Sequence, residues 1–496
     1  MSLSIDVIQK LNSALNDPTI GNALSKAITQ STGLVWYDLE PVAKLLYPVI
    51  TPLRNKIPRV PGDGGTATHW KGITAINTAN LSAGVSEGNR NAGLSTTVRD
   101  YVASYKALGF EDNVSFEADY AAKNFDDVKS LAVMGLLRSL MIAEEKTILW
   151  GNGSVAFGTT PTPAATSAAG SGTLLKNTQY DLVAVALSAE GYFNAAIATG
   201  IPQQISRVNV NGDTDTFGGG AAKKSAIGSV TTPDVGTNNY CVSASVTSVP
   251  GAAGYAWFYG VTAQPLLLSA ITTVNKVTIT GGEVQGTQAV TDLASTDYSV
   301  NSLLFDGVLT QIADPLSGSY VKSLDGLTLT SDGAGGIVEI NNAFRSFWDN
   351  YRLSPNEIWM SAQEIGNVNT KVIAAGGAPL IRYQMDVSGA SVENMKFSAG
   401  AIVGDIINRY SMDGGTSAKI RLHPNMPAGT MLFWSDTIPY PLSNVRNLLQ
   451  MKMRRDYYQI EWPLRTRKYE YGIYMDGLLQ GYFWPAFGVI QNIANG

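Results

Sequence analysis

From Ala164 to Val290 the chain carries eleven charged residues in 127 positions, five basic and six acidic. That stretch reads as short apolar runs separated by Gly, Ser and Pro turns. The runs are Tyr180 to Leu187, Tyr240 to Val246, Tyr255 to Val261 and Val274 to Thr280. Regular short strands of this kind predict a β-sandwich. The preceding residues 158–173, rich in Gly, Ser, Thr, Pro and Ala, read as a low-complexity linker. Sequence of a different, mixed α/β style lies on both sides, so 164–290 reads as an insertion. The fold class expected for the whole chain is α+β with an inserted all-β sandwich.

Composition narrows the function. At 496 residues the chain is too long for one compact core. Charged residues are 15% against an ordinary share of roughly 25%, while hydrophobic residues reach 45%. A neutral, loop-rich surface suits extensive protein–protein contact. The net charge of −5 argues against a general nucleic-acid binder. One cysteine, Cys241, excludes an intrachain disulfide and a cysteine-based zinc site. Two histidines, His69 and His423, leave little for His-rich metal sites or Ser/His catalysis. No signal peptide and no run of about 18 apolar residues is seen, which predicts a protein made in a cytoplasm and not spanning a membrane.

Outside the insertion, extended limbs and one long helix dominate. Leu3, Val7, Leu11 and Leu15 mark an amphipathic N-terminal helix. Pro41, Pro48, Pro52, Pro58 and Pro61 then forbid a long helix and fit an extended crossing segment. Residues 66–108 read as a long β-hairpin. Its limbs hold His69, Trp70 and Ile73 on one side and Thr96, Val98, Tyr101, Val102 and Tyr105 on the other. The intervening 77–93 has too little apolar mass to bury itself. A spine helix is expected from Asn124 to Trp150, with Asn124 as N-cap and Asp126 and Asp127 in its first turn. Met134, Leu137, Met141 and Ile148 should hold its apolar face, widened by Leu136 and Leu140, and Glu144-Glu145 a solvated one. Gly151-Asn-Gly153 should end it through a left-handed glycine. Further on, a helix through Ile337–Tyr351, a buried strand at Glu357–Met360 and a capping box at Ser361–Glu364 are expected. Asp476-Gly477 reads as a hairpin turn between two strands.

No catalytic constellation rises from the residues. There is no phosphate-cradling G-x-x-x-x-G-K-[ST] run, and the Gly-rich tracts lack a strand-then-helix context. His423, before Pro424, reads as structural or exposed, and Asp213 and Asp215 as a turn. Between Arg446 and Lys468 seven basic residues face two acids, with Tyr457, Tyr458 and Trp462 interleaved. This cluster reads as a solvated sheet face, with a polyanion or a neighbour's carboxylates as the alternative.

The order of parts resembles a tailed-bacteriophage major capsid protein of the HK-ninety-seven-like shell fold. The resemblance is carried by Leu149-Trp-Gly-Asn-Gly153, Phe305-Asp-Gly-Val-Leu-Thr-Gln-Ile312, Ile358-Trp-Met-Ser-Ala-Gln363 and Met475-Asp-Gly-Leu-Leu-Gln-Gly-Tyr-Phe-Trp-Pro-Ala486. It covers nearly everything outside 164–290. The insertion resembles a fibronectin type III or immunoglobulin-like domain through Tyr180-Asp-Leu-Val-Ala-Val-Ala-Leu-Ser-Ala-Glu-Gly191 and Val249-Pro-Gly-Ala-Ala-Gly-Tyr-Ala-Trp-Phe-Tyr259.

The resemblance implies a tailed-phage capsid shell fold with an N-terminal arm (1–60), extended loop (61–110), peripheral domain with spine helix (111–163), insertion (164–290), axial domain (291–440) and return strands (441–496). It implies hexamers and pentamers enclosing packaged double-stranded DNA on an inner face without sequence specificity. It also implies separate scaffolding, portal and decoration proteins, no membrane, no cofactor, no metal, no catalysis, and a place in the virion after assembly in the bacterial cytoplasm. Candidate assembly residues are His69, Trp70, Lys71, Arg90, Arg99, Arg454, Arg455, Arg465 and Arg467. Lys71 sits in the loop that some relatives cross-link, but no matching Asn and Glu are found, so that chemistry is not carried over. A cellular nanocompartment shell or a phage surface adhesin are the alternatives.

Overall fold

The computed structural model describes residues 47–76, 84–91, 93, 95–123, 127–209, 211–374, 381–384, 396–399, 404–411, 415–436, 438 and 445–495. The expected N-terminal helix, the hairpin tip at 77–83, and Asn124 and Asp126 lie outside these residues. The chain divides into two units. In the smaller, built from Met1–Pro48, Asn113–Ala132 and Leu464–Tyr469, the short helix Phe116–Ala121 is capped by Ser115, whose Oγ accepts from the Ala118 N–H. Phe116 packs on Tyr469 with ring centroids 4.8 Å apart, and Arg467 pairs with Glu117 at 2.9 Å.

The spine helix runs Val128–Trp150, 23 residues and about 34 Å. Asp127 is its cap. It accepts from Ser130 N at 3.1 Å and Ser130 Oγ at 2.9 Å, and these bonds hold its carboxyl below the usual carboxylate range. Leu136 and Leu140 are buried, whereas Met134 is half exposed, so the apolar stripe is rotated from the expected one. It continues through Glu144 and Thr147 at i+4 and i+7 spacing.

The expected solvated Glu144-Glu145 face is a correction, because both carboxylates are fully buried. Burial is tolerated because each is fully partnered. Glu144 takes Arg54 Nε at 3.0 Å, Arg59 Nη1 at 2.6 Å and the Tyr457 hydroxyl. Glu145 accepts from Leu53 N at 2.9 Å, Arg54 N at 2.7 Å and His423 Nε2 at 2.7 Å. His423 is thus structural, as expected.

The helix stops at Gly151 without a left-handed residue there. Glycine is required by crowding instead, since a Cβ would lie 2.2 Å from Phe305 O; at Gly153 it would lie 2.2 Å from Leu304 O.

A six-stranded mixed sheet forms the second main element, in the order Tyr320–Ser323, Phe487–Gln491, Met431–Trp434, Glu357–Met360, Thr416–Leu422, Asp405–Asn408. The helix Val338–Tyr351 covers it. Ile340, Ala343, Phe344 and Phe347 are buried, with Phe344 and Phe347 about Phe433 at 5.9 and 6.0 Å. That helix ends at Arg352 in the left-handed region, before the expected Ser354-Pro355 break. Ser361 Oγ caps the helix Ala362–Ala374, but Glu364 turns inward to Gly429 N at 3.0 Å, so half of the capping box forms.

The second correction concerns Asp476-Gly477. No turn forms there. Lys468–Gly481 is one continuous strand pairing antiparallel with Leu449–Glu461, and the reversal lies at 462–467. Asp476 is answered by Arg454 Nη2 at 3.0 Å, and Gly477 admits the Met453 sulfur where a Cβ would lie at 2.8 Å. Long-range pairing overrides the local turn signal.

The strands between Ala164 and Ile279 build two sheets packed on a shared core. One sheet joins Ala164–Leu174, Tyr240–Ser245 and Lys276–Ile279; the other joins Gly228–Thr231, Gln179–Leu187, Gly254–Val261 and Leu267–Thr272. Tyr180, Leu182, Ala184, Val242, Tyr255, Trp257 and Ile279 fill the space between. The expected linker is therefore in large part a strand, held to Tyr240–Ser245 by a full antiparallel register. Val183, Val185, Phe258 and Leu268 on the opposite face are covered by Ile201, Ala221 and Leu293. Burial on both faces explains why Leu182–Leu187 is apolar at every position. The packing reaches past 290, through Leu293 to Tyr298, whose carbonyl accepts from Gly219 N at 2.7 Å.

Candidate assembly surface

Strands Ala67–Ile76 and Thr96–Ser104 pair antiparallel, as the β-branched and aromatic limbs predict. The register sorts the side chains into two faces. His69, Lys71 and Ile73 share one with Val102, Asp100 and Val98; Thr68, Trp70 and Gly72 share the other with Ala103, Tyr101 and Arg99. The second face is turned to the protein's own body. Trp70 Nε1 donates to Gly481 O at 3.1 Å, and Thr68 Oγ donates to the Tyr105 hydroxyl at 2.9 Å. Arg99 bonds Asp314 at 3.0 Å and the Leu316 carbonyl. Trp70 and Tyr101 stack at 5.6 Å and 12°, and burial pushes the Tyr101 hydroxyl up from its ordinary pKa.

The first face meets solvent. Ile73, Val98 and Val102 are 65%, 51% and 63% exposed, aligned along the hairpin. Lys71 and Asp100 lie between them as an exposed cross-strand pair at 3.6 Å. Such a pair adds little stability to the hairpin. None of the described residues covers this row of exposed β-branched side chains, and a row of this kind is a candidate contact surface. Beneath the hairpin lies a cleft of about 460 Å³, bordered by Arg99, Tyr101, Lys106, Asp306, Asp314 and Trp484.

The nominated residues separate accordingly. His69 and Lys71 lie on the open face, and Arg90 is exposed in the distal segment. Trp70 and Arg99 are engaged within their own chain. The hairpin's root is thus docked on its own body. Arg454 pairs with Asp476, and Arg455 lies over the Tyr458 ring at 3.9 Å. Arg465 is exposed, and Arg467 pairs with Glu117. The basic cluster is thus partly neutralised in place. Tyr458 and Trp462 both stack on Tyr474, at 5.9 and 6.2 Å, and so contact another ring. Sequence reasoning missed the Glu144–Glu145 network, whose partners at Arg54 and Arg59 lie about ninety positions away.

Among the described residues, no group of three or more His, Cys, Asp or Glu gathers as metal ligands, and no helix is long and apolar enough to cross a membrane.

No protein-family model matches the chain, and no curated protein matches it. Among solved structures it is similar to the capsid of a native GTA particle, at 8% identity and TM-score 0.41, over 94% of this chain and 99% of that one. The capsid of Myoviridae phage XM1 is similar at 9% identity and TM-score 0.40, over 94% and 99%. The holo-SrpI encapsulin complex from Synechococcus elongatus PCC 7942 is similar at 7% identity and TM-score 0.40, over 94% and 95%.

Proposed function

We propose that this chain is a structural subunit of an icosahedral tailed-phage shell that assembles as hexamers and pentamers around packaged double-stranded DNA. The observation that carries the reading is the two-sided hairpin, whose inner face is tied to its own body and whose outer face offers Ile73, Val98 and Val102 to water. In this reading a neighbouring copy covers that row, and the same contact repeated from copy to copy closes into a symmetric assembly. The sequence order of arm, hairpin, spine helix, central sheet and returning strands supports the same reading. In it the chain catalyses no reaction and works with separate scaffolding, portal and decoration proteins in the bacterial cytoplasm before residing in the virion. The immunoglobulin-like insertion stands on the outer surface.

Electron microscopy and sedimentation of the expressed chain, alone and with a co-expressed scaffold, test it. Closed particles tens of nanometres across are expected. A monomer at every concentration refutes the reading, and particles holding a protein cargo in place of DNA move it to a cellular nanocompartment.

A further inference from the structure

Residues 51–61 form a strap between the N-terminal segment and the hairpin. Leu53 and Ile57 plug it into the body. Polar bonds then fix its direction. Glu144 and Glu145, adjacent on a helix, point about 100° apart, so they grip the strap from two sides. Glu145 takes the strap's backbone through Leu53 N and Arg54 N, while Glu144 takes its guanidiniums, Arg54 and Arg59. His423 Nδ1 accepts from Asn425 N at 3.1 Å, so the ring proton sits on Nε2 and is donated to Glu145. Lys56 adds a third tie, at 2.7 Å to Glu357 and 2.8 Å to Asp436.

The strap leads straight into the hairpin. Strand Arg59–Pro61 runs parallel to Met451–Met453, and Gly62 N donates to Met453 O at 2.7 Å. Gly62 lies against Tyr105, where a Cβ would be 2.3 Å from the hydroxyl. That hydroxyl is the one Thr68 bonds at the hairpin's root.

We infer that Glu144 and Glu145 are positioning residues for the hairpin: by locking the strap to the C-terminal end of the spine helix, they set the angle at which the hairpin leaves the body. The consequence for assembly rests on the shell reading proposed above, while the mechanical link stands apart from it.

Hydrogen exchange of the full chain, kept below its assembly concentration, tests the link. In Glu145→Gln the new amide cannot satisfy three donors. The Leu53 and Arg54 amides are expected to exchange at least about tenfold faster. Trp70 and Tyr101 in the hairpin should follow by a smaller factor, with Phe344 and Phe433 unchanged. Tyr457→Phe, which removes one donor to Glu144, should show the same pattern more weakly, and it serves as the readout if Glu145→Gln does not fold. A strap that loosens while the hairpin stays at wild-type rates overturns the inference, as does a strap that does not loosen. Glu145→Gln particles of wild-type shape and yield overturn its consequence for assembly. Coupled loosening in the variant, with a wild-type chain that never forms particles, supports the link and removes the shell reading alone.

Discussion

Replacing Val98 and Val102 together by Thr separates assembly from folding. Threonine is β-branched, so the strand preference of Thr96–Ser104 is kept. Both positions already face water, so the isolated subunit should lose less than about 0.5 kcal/mol. In a shell that covers the open face the account differs. Full burial of a Val or Ile side chain stabilises by roughly 1.5–3 kcal/mol. Val98 and Val102 stand 51% and 63% exposed, which leaves about 1–2 kcal/mol each to be gained on association. Threonine keeps one of the two methyls and so forfeits only part of that gain, but it adds a hydroxyl whose burial without a partner costs about 1–3 kcal/mol. The pair should therefore weaken each contact by about 2–4 kcal/mol, roughly 30- to 700-fold in association constant. Light scattering across a concentration series reads the assembly threshold, and urea unfolding of dilute subunits reads the fold. Particles at the wild-type threshold would show that the open face is not an interface; a lowered urea midpoint would show that it belongs to the subunit's own core.

Excision of 159–298, bridged by a short Gly-Ser turn, should leave a soluble, cooperatively melting body, because Phe157 N lies 3.0 Å from Ser299 Oγ. Excision of 164–290 alone should aggregate, since it strips the cover from Leu293; size-exclusion profiles of the two deletions decide. Glu364→Gln should change the pH dependence of stability. Desolvation pushes the Glu364 carboxyl above the ordinary range, against bonds from Asn367, Gly429 and Gln363. The folded state therefore holds its proton more tightly than the unfolded state. Wild-type stability relative to the variant should fall as pH rises from the ordinary Glu value through the raised one. Urea midpoints of both proteins across that window test this; a difference that stays flat or grows with pH refutes it.

Periodicity made much of the frame legible. Ile340, Phe344 and Phe347 announce their helix by spacing, and Tyr255 to Val261 its strand by continuous apolar character. The hairpin was likewise readable from the β-branched and aromatic residues of its limbs, but not which of its faces lies open. What stayed hidden depends on distant partners. Glu144-Glu145 looks like a wet surface until Arg54, Arg59 and His423 are brought to it. Asp476-Gly477 looks like a turn until Met453 and Arg454 lie opposite. Ala164–Leu174 looks like a tether because small polar residues carry no strand signal, yet Gly172 fits where a Cβ would lie 2.1 Å from Tyr240 O. The inward half of the hairpin, too, needed Asp314 and Gly481 to be seen.

The hydrogen bond between Phe157 and Ser299 means that the chain leaves the frame and re-enters it at a single doorway. The ends are pinned whatever hangs between them, so lengthening the module costs little in closure entropy. A different folded module with neighbouring termini could be threaded through the same gap, at the cost of the bonds by which Ser248 and Asn275 of the present one dock on Asn492 and Asp325.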